Sequence, residues 1–416
     1  MKNSNFGLKD LFNLKDTIFF TNHGSYGSCP KIIHDKKSKL LLELESEPDR
    51  WFRFKSIEYW NKSISSLSAY LNIKSENLVI CQNATESINA ALKSITFKSD
   101  HAILAHSYTY GAILNSIDYI AKYRLDKEIP VFKVACEFPI NSEDEILNEI
   151  EKTCKLIVEE KGLKLRLAVI DHLSSATALL YPVKKINAII RKWSSKTKDN
   201  EEDRSIIIVD GAHAIGQIKI DILDLDCDFY TSNLHKWFLA PKSCSFLFVR
   251  NPSDLRLQPN YISWGYYSKD IGTNFFMRGT FDQTSWYVVD DCIKFYEIIL
   301  GGLETITEYN SNLIEKAVEY LCKLWKTERN GVPKNLEAPF MKLIKLPKMK
   351  SYTRGDNDEE TTNVCVKLIQ DILDKFNVVS CMVCVQGEMF CRISCFVYNK
   401  MEDYEKLGQA FHNPPF

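Results

Sequence analysis

Between residues 77 and 250 the chain alternates short apolar runs with stretches whose apolar residues recur at helical spacing. The runs NLVIC (77–81), HAILA (101–105), PVFKVA (130–135), LRLAVID (165–171), SIIIVD (205–210), CDFYT (227–231) and CSFLFVR (244–250) predict seven strands. Several are apolar throughout, as expected of strands covered on both faces. Helical segments such as ESINAALKSI and VKKINAIIRKWSSK separate them, so the region reads as a three-layer α/β domain with a mainly parallel sheet. The last runs lack long crossovers, which predicts one antiparallel strand. The polar run SSKTKDNEED (194–203) reads as an exposed loop before a buried strand. From about Tyr287 longer helical stretches and a strand-rich tail take over. The expected division is an N-terminal segment (1–60) serving the site and the small domain, a large domain (61–286) and a smaller α+β domain (287–416).

Composition narrows the field. With 416 residues and 45% hydrophobic content, the chain has the material of a two-domain enzyme. Basic residues number 53 and acidic residues 54, leaving no positive surplus for nucleic acid or an anionic membrane. The N-terminus has no apolar core of a signal peptide, and no apolar run approaches the roughly 20 residues that span a bilayer. The 13 cysteines are odd in number and scattered, which predicts a reducing cytosol. Cys381, Cys384, Cys391 and Cys395 raise zinc or redox chemistry. Their segment also reads as two strands around a turn at Gln386-Gly387, so structural cysteines and no bound metal are expected.

Candidate chemistry gathers where strands end, the usual ligand edge of an open α/β sheet. In YTSNLHKWFLAPKS, Lys236 follows a predicted strand. It is either a surface lysine with its stem on Trp237 or a desolvated amine of the kind that forms Schiff bases. After NLVIC, Asn83 or Thr85 can cap a helix whose free N–H groups form a phosphate cradle. Asp210 ends a strongly apolar strand, where an unpaired carboxylate is costly. Ser174 and Ser175 offer hydroxyls after LAVID. A phosphate anchor, a carboxylate, hydroxyl donors and a lysine are the parts pyridoxal phosphate calls for.

The order NAT, DGAHAIG, NLHKW, RGT, RIS resembles fold-type I pyridoxal-phosphate enzymes of the class V aminotransferase family. The nearest likeness is to the isopenicillin N epimerase-like branch, with its cysteine desulfhydrase-like and hercynylcysteine sulfoxide lyase-like members. TNHGSYGSCP (21–30) resembles that branch's opening motif. The resemblance implies that Lys236 carries the cofactor's aldehyde and that Asp210 partners the pyridine nitrogen. It implies Ala84, Thr85, His235 and one of Ser232 and Asn233 at the phosphate, and Tyr110, with Tyr108 as rival, stacked on the ring. His213 and one of Ser174 and Ser175 would lie near the phenolic oxygen. Arg392 would grip a substrate carboxylate, and Asn22, His23 and Arg53 would serve the substrate, with Arg50 a neighbour of Arg53. Thr280 would reach the phosphate of a neighbouring subunit, implying a homodimer with a shared site. Relatives read Thr-Arg-Asp where this chain has Thr280-Phe281-Asp282.

The implied activity is β-elimination from cysteine or an S-substituted cysteine, giving pyruvate and ammonia. Epimerisation or transamination is the alternative, cysteine desulfuration the third, since no cysteine lies in a recognisable mobile loop. A catalytically silent scaffold of the same fold is the reading outside enzymes.

Overall fold

A computed structural model describes residues 7–197, 203–253 and 257–411. A two-residue strand, β1 (Phe19–Phe20), precedes seven strands that form one sheet. These are β2 (Leu78–Cys81), β3 (His101–His106), β4 (Val131–Val134), β5 (Lys164–Asp171), β6 (Ile206–Asp210), β7 (Phe229–Ser232) and β8 (Ser245–Val249). Their order is β2-β8-β7-β6-β5-β3-β4. Strand β8 runs antiparallel to β2 and β7, and every other pairing is parallel. The connection from β7 to β8 carries no crossover helix, and that strand reverses. Every residue of β2, β6, β7 and β8 is buried, so these strands lack the alternation of a half-exposed sheet.

Parallel registry places the carboxyl ends of β5, β6 and β7 side by side. Asp171 pairs with Asp210, and Asp210 pairs with Thr231. That edge is where side chains leaving the sheet can meet a ligand.

The C-terminal part carries β9 (Met341–Lys345), β10 (Val378–Val379), β11 (Met382–Val385) and β12 (Glu388–Ser394). Strands β11, β12 and β9 form an antiparallel sheet, while β10 pairs with β1 from the N-terminal segment. Trp325, Ile344, Leu368, Ile372 and Tyr404 belong to a second core there. Gln386 and Gly387 both take positive φ, the geometry of a tight hairpin turn. Cys391 and Cys395 are buried and Cys381 and Cys384 half-buried, all as free thiols. Among the described residues no group of three His, Cys, Asp or Glu could hold a metal ion, and no helix is long and apolar enough to cross a membrane. Residues 198–202 of the expected polar loop lie outside the described residues.

Candidate active site

A cavity of about 270 Å³ opens at the carboxyl ends of the central strands. Lys236 enters it from the loop after β7, with its backbone fixed by bonds from His235 N to Cys244 O (3.1 Å) and from Ala240 N to Leu234 O (3.0 Å). The N-terminal segment lies directly against this loop. Gly27 has φ of +66°, and a Cβ there would fall 2.8 Å from Lys236 Cα, so only glycine permits the approach. Lys236 Nζ lies 3.0 Å from His213 Nε2. The amine keeps some surface open to the cavity, yet desolvation by the surrounding protein pulls it down to about 7. The Arg392 charge adds to that pull and Asp210 opposes it.

Asp210 ends β6, is 4% exposed, and accepts a hydrogen bond from Ala212 N (2.9 Å). Among the described residues no other group donates to its carboxylate. Burial pushes its carboxyl up, and the neighbouring Asp171 charge pushes the same way. Here is a buried acid with capacity for a cationic N–H partner.

Arg392, on β12, approaches from the small sheet and is 3% exposed. Its Nη1 donates to Ser175 O (2.5 Å) and Oγ (3.1 Å), and its Nη2 to Asn22 Oδ1 (3.1 Å) and Ser25 Oγ (2.9 Å). Its Nε is buried without a partner. Every acceptor is neutral. Among the described residues no carboxylate pairs with this guanidinium, which is costly unless an anion arrives.

At the other end, Asn83 caps the helix Ala84–Lys93 by accepting from Glu86 N (2.9 Å). Asn233 Oδ1 takes the Ala84 N–H (2.9 Å), and the Thr85 N–H has no intrahelical acceptor. His235 Nδ1 donates to Cys244 O (2.9 Å), since a carbonyl can only accept, and Nε2 is left for a ligand. Tyr110 and Tyr26 are exposed at the mouth.

The cavity therefore brings together Lys236, Asp210, Ala84, Thr85, Tyr110, His213 and His235. Other expected residues lie elsewhere. Ser175 lines the cavity, whereas Ser174 is fully buried and its Oγ accepts from Thr177 N within a turn (3.2 Å). Asn233 lines it, whereas Ser232 Oγ bonds Gly211 O and accepts from Ile215 N (3.1 Å). Both pairs lie where the chain leaves a strand, and the turn that follows decides which side chain of each reaches the site. His23 lies behind the lysine, donating from Nε2 to Lys236 O (3.0 Å) and accepting at Nδ1 from the Tyr398 hydroxyl (2.7 Å). Asn22 orients Arg392 instead of lining the cavity. Arg53 is exposed and paired with Asp49 one helical turn away (3.1 Å). Thr280 is exposed beside a separate hollow lined by Glu86 and Arg278. The Tyr108 hydroxyl is engaged elsewhere, accepting from Gln386 N at the hairpin tip (3.2 Å).

Asp171 went unremarked in the sequence and lines the cavity, accepting from the Thr109 hydroxyl (2.5 Å). Its signal was close to the one that marks Asp210: an acid directly after an apolar run, Leu167–Ile170, at the end of a strand.

Fold and cavity together define a class, and the chain belongs to the class-V aminotransferase family, whose model matches residues 55–407. It is 28% identical over 414 residues to the putative L-cysteine desulfhydrase 1 of Oryza sativa subsp. japonica, covering 94% of this chain and 81% of that protein. It is 25% identical over 416 residues to the hercynylcysteine sulfoxide lyase of Schizosaccharomyces pombe, covering 97% and 96%. In fold it is similar to a lysine-to-alanine variant of C-DES with glycine covalently linked to its PLP cofactor. That match has a TM-score of 0.73 at 17% identity and covers 97% of this chain and 99% of that one.

Proposed function

We propose that this chain is a pyridoxal-phosphate-dependent C–S lyase that eliminates sulfur from cysteine or an S-substituted cysteine, giving pyruvate and ammonia. One observation carries the reading: an easily deprotonated lysine and an under-partnered buried carboxylate line one cavity, and an acid-free buried arginine stands directly behind its wall, bonded to Ser175 and Ser25. The cofactor fits what the residues lack. Asp210 would take the pyridine N–H, Thr85 N–H and His235 the phosphate, and Tyr110 the ring face. Ser175 and His213 would serve the phenolic oxygen, and Lys236 the aldehyde. When bound, pyridoxal phosphate supplies a sink for the electron pair left behind as a C–H bond breaks.

The chain's own groups do the rest. Arg392 holds the substrate carboxylate through two parallel N–H bonds, fixing which face of the α carbon meets Lys236. Lys236 Nζ accepts the α proton, a task suited to an amine near 7. Asp210 offers a carboxylate in a water-poor site, where it would favour the protonated form of a pyridine nitrogen bound beside it. Lys236, Asp210 and Thr85 lining one cavity, with Arg392 bonded to its wall, argue against a silent scaffold.

We further propose a homodimer in which Thr280 of the partner subunit closes the phosphate end. Exposed Tyr261, Trp264 and Tyr267 on the same stretch support it, because such apolar surface is usually covered. The cytosol is the proposed compartment, and thirteen free thiols support it.

A second reading has one observation in its favour. Cys381 acts electrostatically on Lys236, and its carbonyl accepts from Arg392 N (2.7 Å). Transfer of substrate sulfur to this thiol would give a persulfide and alanine, as in a desulfurase. The deciding experiment supplies the holoenzyme with cysteine, cystine and S-substituted cysteines. Pyruvate and ammonia support elimination, and alanine with a persulfide at Cys381 supports desulfuration. Loss of α deuterium without pyruvate means epimerisation or transamination. A protein that stays colourless with pyridoxal phosphate overturns the enzyme reading.

A further inference from the structure

We propose that Trp237 is a positioning residue that fixes the tautomer of His213, so that His213 Nε2–H donates to Lys236 Nζ and holds the lysine as a neutral amine. The argument starts from what an indole can do. Trp237 Nε1 lies 3.3 Å from His213 Nδ1 in hydrogen-bond geometry, and an indole N–H only donates. Nδ1 must therefore carry a lone pair. In a neutral ring the single proton then sits on Nε2. His213 Nε2 lies 3.0 Å from Lys236 Nζ, so the lysine accepts, which an ammonium cannot do.

The opposite arrangement fails on the same atoms. An ammonium donating to a bare Nε2 would need the ring proton on Nδ1. Two N–H groups would then face each other across 3.3 Å with no acceptor between them. A doubly protonated ring fails as well. His213 is 1% exposed and is faced by Lys236, Arg392, His235 and His23. Burial and those groups together push its proton affinity well below the ordinary histidine range. Lys236 is faced by Arg392, Asp210 and Cys381 besides His213, and its own lowered value agrees with the neutral amine.

The indole is held for this task. Trp237 is fully buried, its ring edge-on to Phe340 (5.8 Å) and tilted against His23 (4.8 Å). Gln217 Nε2 donates to the His213 carbonyl (2.9 Å), fixing the backbone from which the imidazole projects. The consequence is a lysine already in nucleophilic form before any carbonyl compound arrives. The inference deepens the proposed function of the same site, but it concerns protein atoms only and is tested without cofactor.

The first measurement uses cofactor-free wild-type protein labelled with 15N-histidine, with His213 assigned by the signal lost in His213→Gln. At neutral pH the expected pattern is a protonated Nε2 and an unprotonated Nδ1. A protonated Nδ1, alone or in an imidazolium, overturns the proposal. The second uses Trp237→Phe, which keeps a ring and removes the N–H. Trinitrobenzenesulfonate labelling of the Lys236 peptide, followed by mass spectrometry against pH, should have its midpoint raised by about one pH unit, or about tenfold in reactive fraction. A folded variant with unchanged midpoint and unchanged tautomer makes Trp237 a packing residue only and overturns its role. If the variant does not fold, the wild-type nitrogen pattern decides. A protein with the expected tautomer that never takes up pyridoxal phosphate would sink the proposed function and leave this inference standing.

Discussion

Lys342 and Lys236 are both lysines withdrawn from bulk water, and they keep different company. Lys342, on β9, is 7% exposed and bonds Glu337 (2.5 Å) and Glu315 (3.0 Å). Arg329 closes the ring on the same two acids at 2.9 and 2.6 Å. Every charge there is answered by another. Lys236 faces an imidazole, Asp210 faces one backbone N–H, and Arg392 faces neutral oxygens. The contrast separates charges that hold the fold from charges that wait for a ligand. A paired buried charge is missed by its partner when removed, whereas an unpaired one costs stability while it remains.

That difference can be broken at several points. The largest effect is expected for Lys236→Ala, which should lower turnover about 10⁴-fold, the upper range for losing a positioned acid–base group. Full retention of activity in a steady-state pyruvate assay would remove the lysine from the chemistry. Next comes Lys342→Met, expected to cost roughly 3 kcal/mol in urea unfolding because it leaves two acids sharing the single charge of Arg329. No loss would mean that the cluster is solvated after all.

Acid should act through the buried histidines. His23 is held down to about 3, and His172 and His235 to about 4, by desolvation first. The unfolded chain binds those protons near the ordinary value of about 6.5. Stability contributed by these groups is therefore complete above pH ~6.5 and lost as pH falls toward 4 and below, at about 1.4 kcal/mol per unit and group. Asp210, held above its ordinary value, works in the opposite direction over its own range. Thermal melts of cofactor-free protein from pH 7 to 4 check the sign, and a rising midpoint on acidification would contradict it.

The smallest effect is the most discriminating. Asp210→Asn keeps the Ala212 bond and removes the buried charge, so cofactor-free protein should melt a few degrees higher. The same variant should bind pyridoxal phosphate more weakly. A lower melting temperature would put Asp210 in the class of Lys342.

Much of the fold was legible because burial on both faces makes strands read as apolar runs. The reversed β8 followed from a connection without a crossover helix. Lys236, Asp210 and Thr85 could be placed near one another because parallel strand ends share an edge. What stayed hidden depends on where side chains turn after leaving the sheet. Ser174 and Ser175 are chemically alike, and only the local turn decides which one meets Arg392. His23 reads as a ligand in sequence and becomes packing because Phe396 and Tyr398 enclose it from a distant part of the chain. Arg53 sits in a helical stretch whose turn faces solvent. Asp171 was visible on the same grounds as Asp210 and needed only the same question asked of β5.

The account rests most heavily on Lys236 as the point where the cofactor is held. Pyridoxal phosphate added to the purified protein, reduced with borohydride and mapped by peptide mass spectrometry, tests this directly. The expected result is one stoichiometric adduct on the Lys236 peptide, absent from Lys236→Ala. Label spread over surface lysines, with Lys236 unmodified, would contradict it.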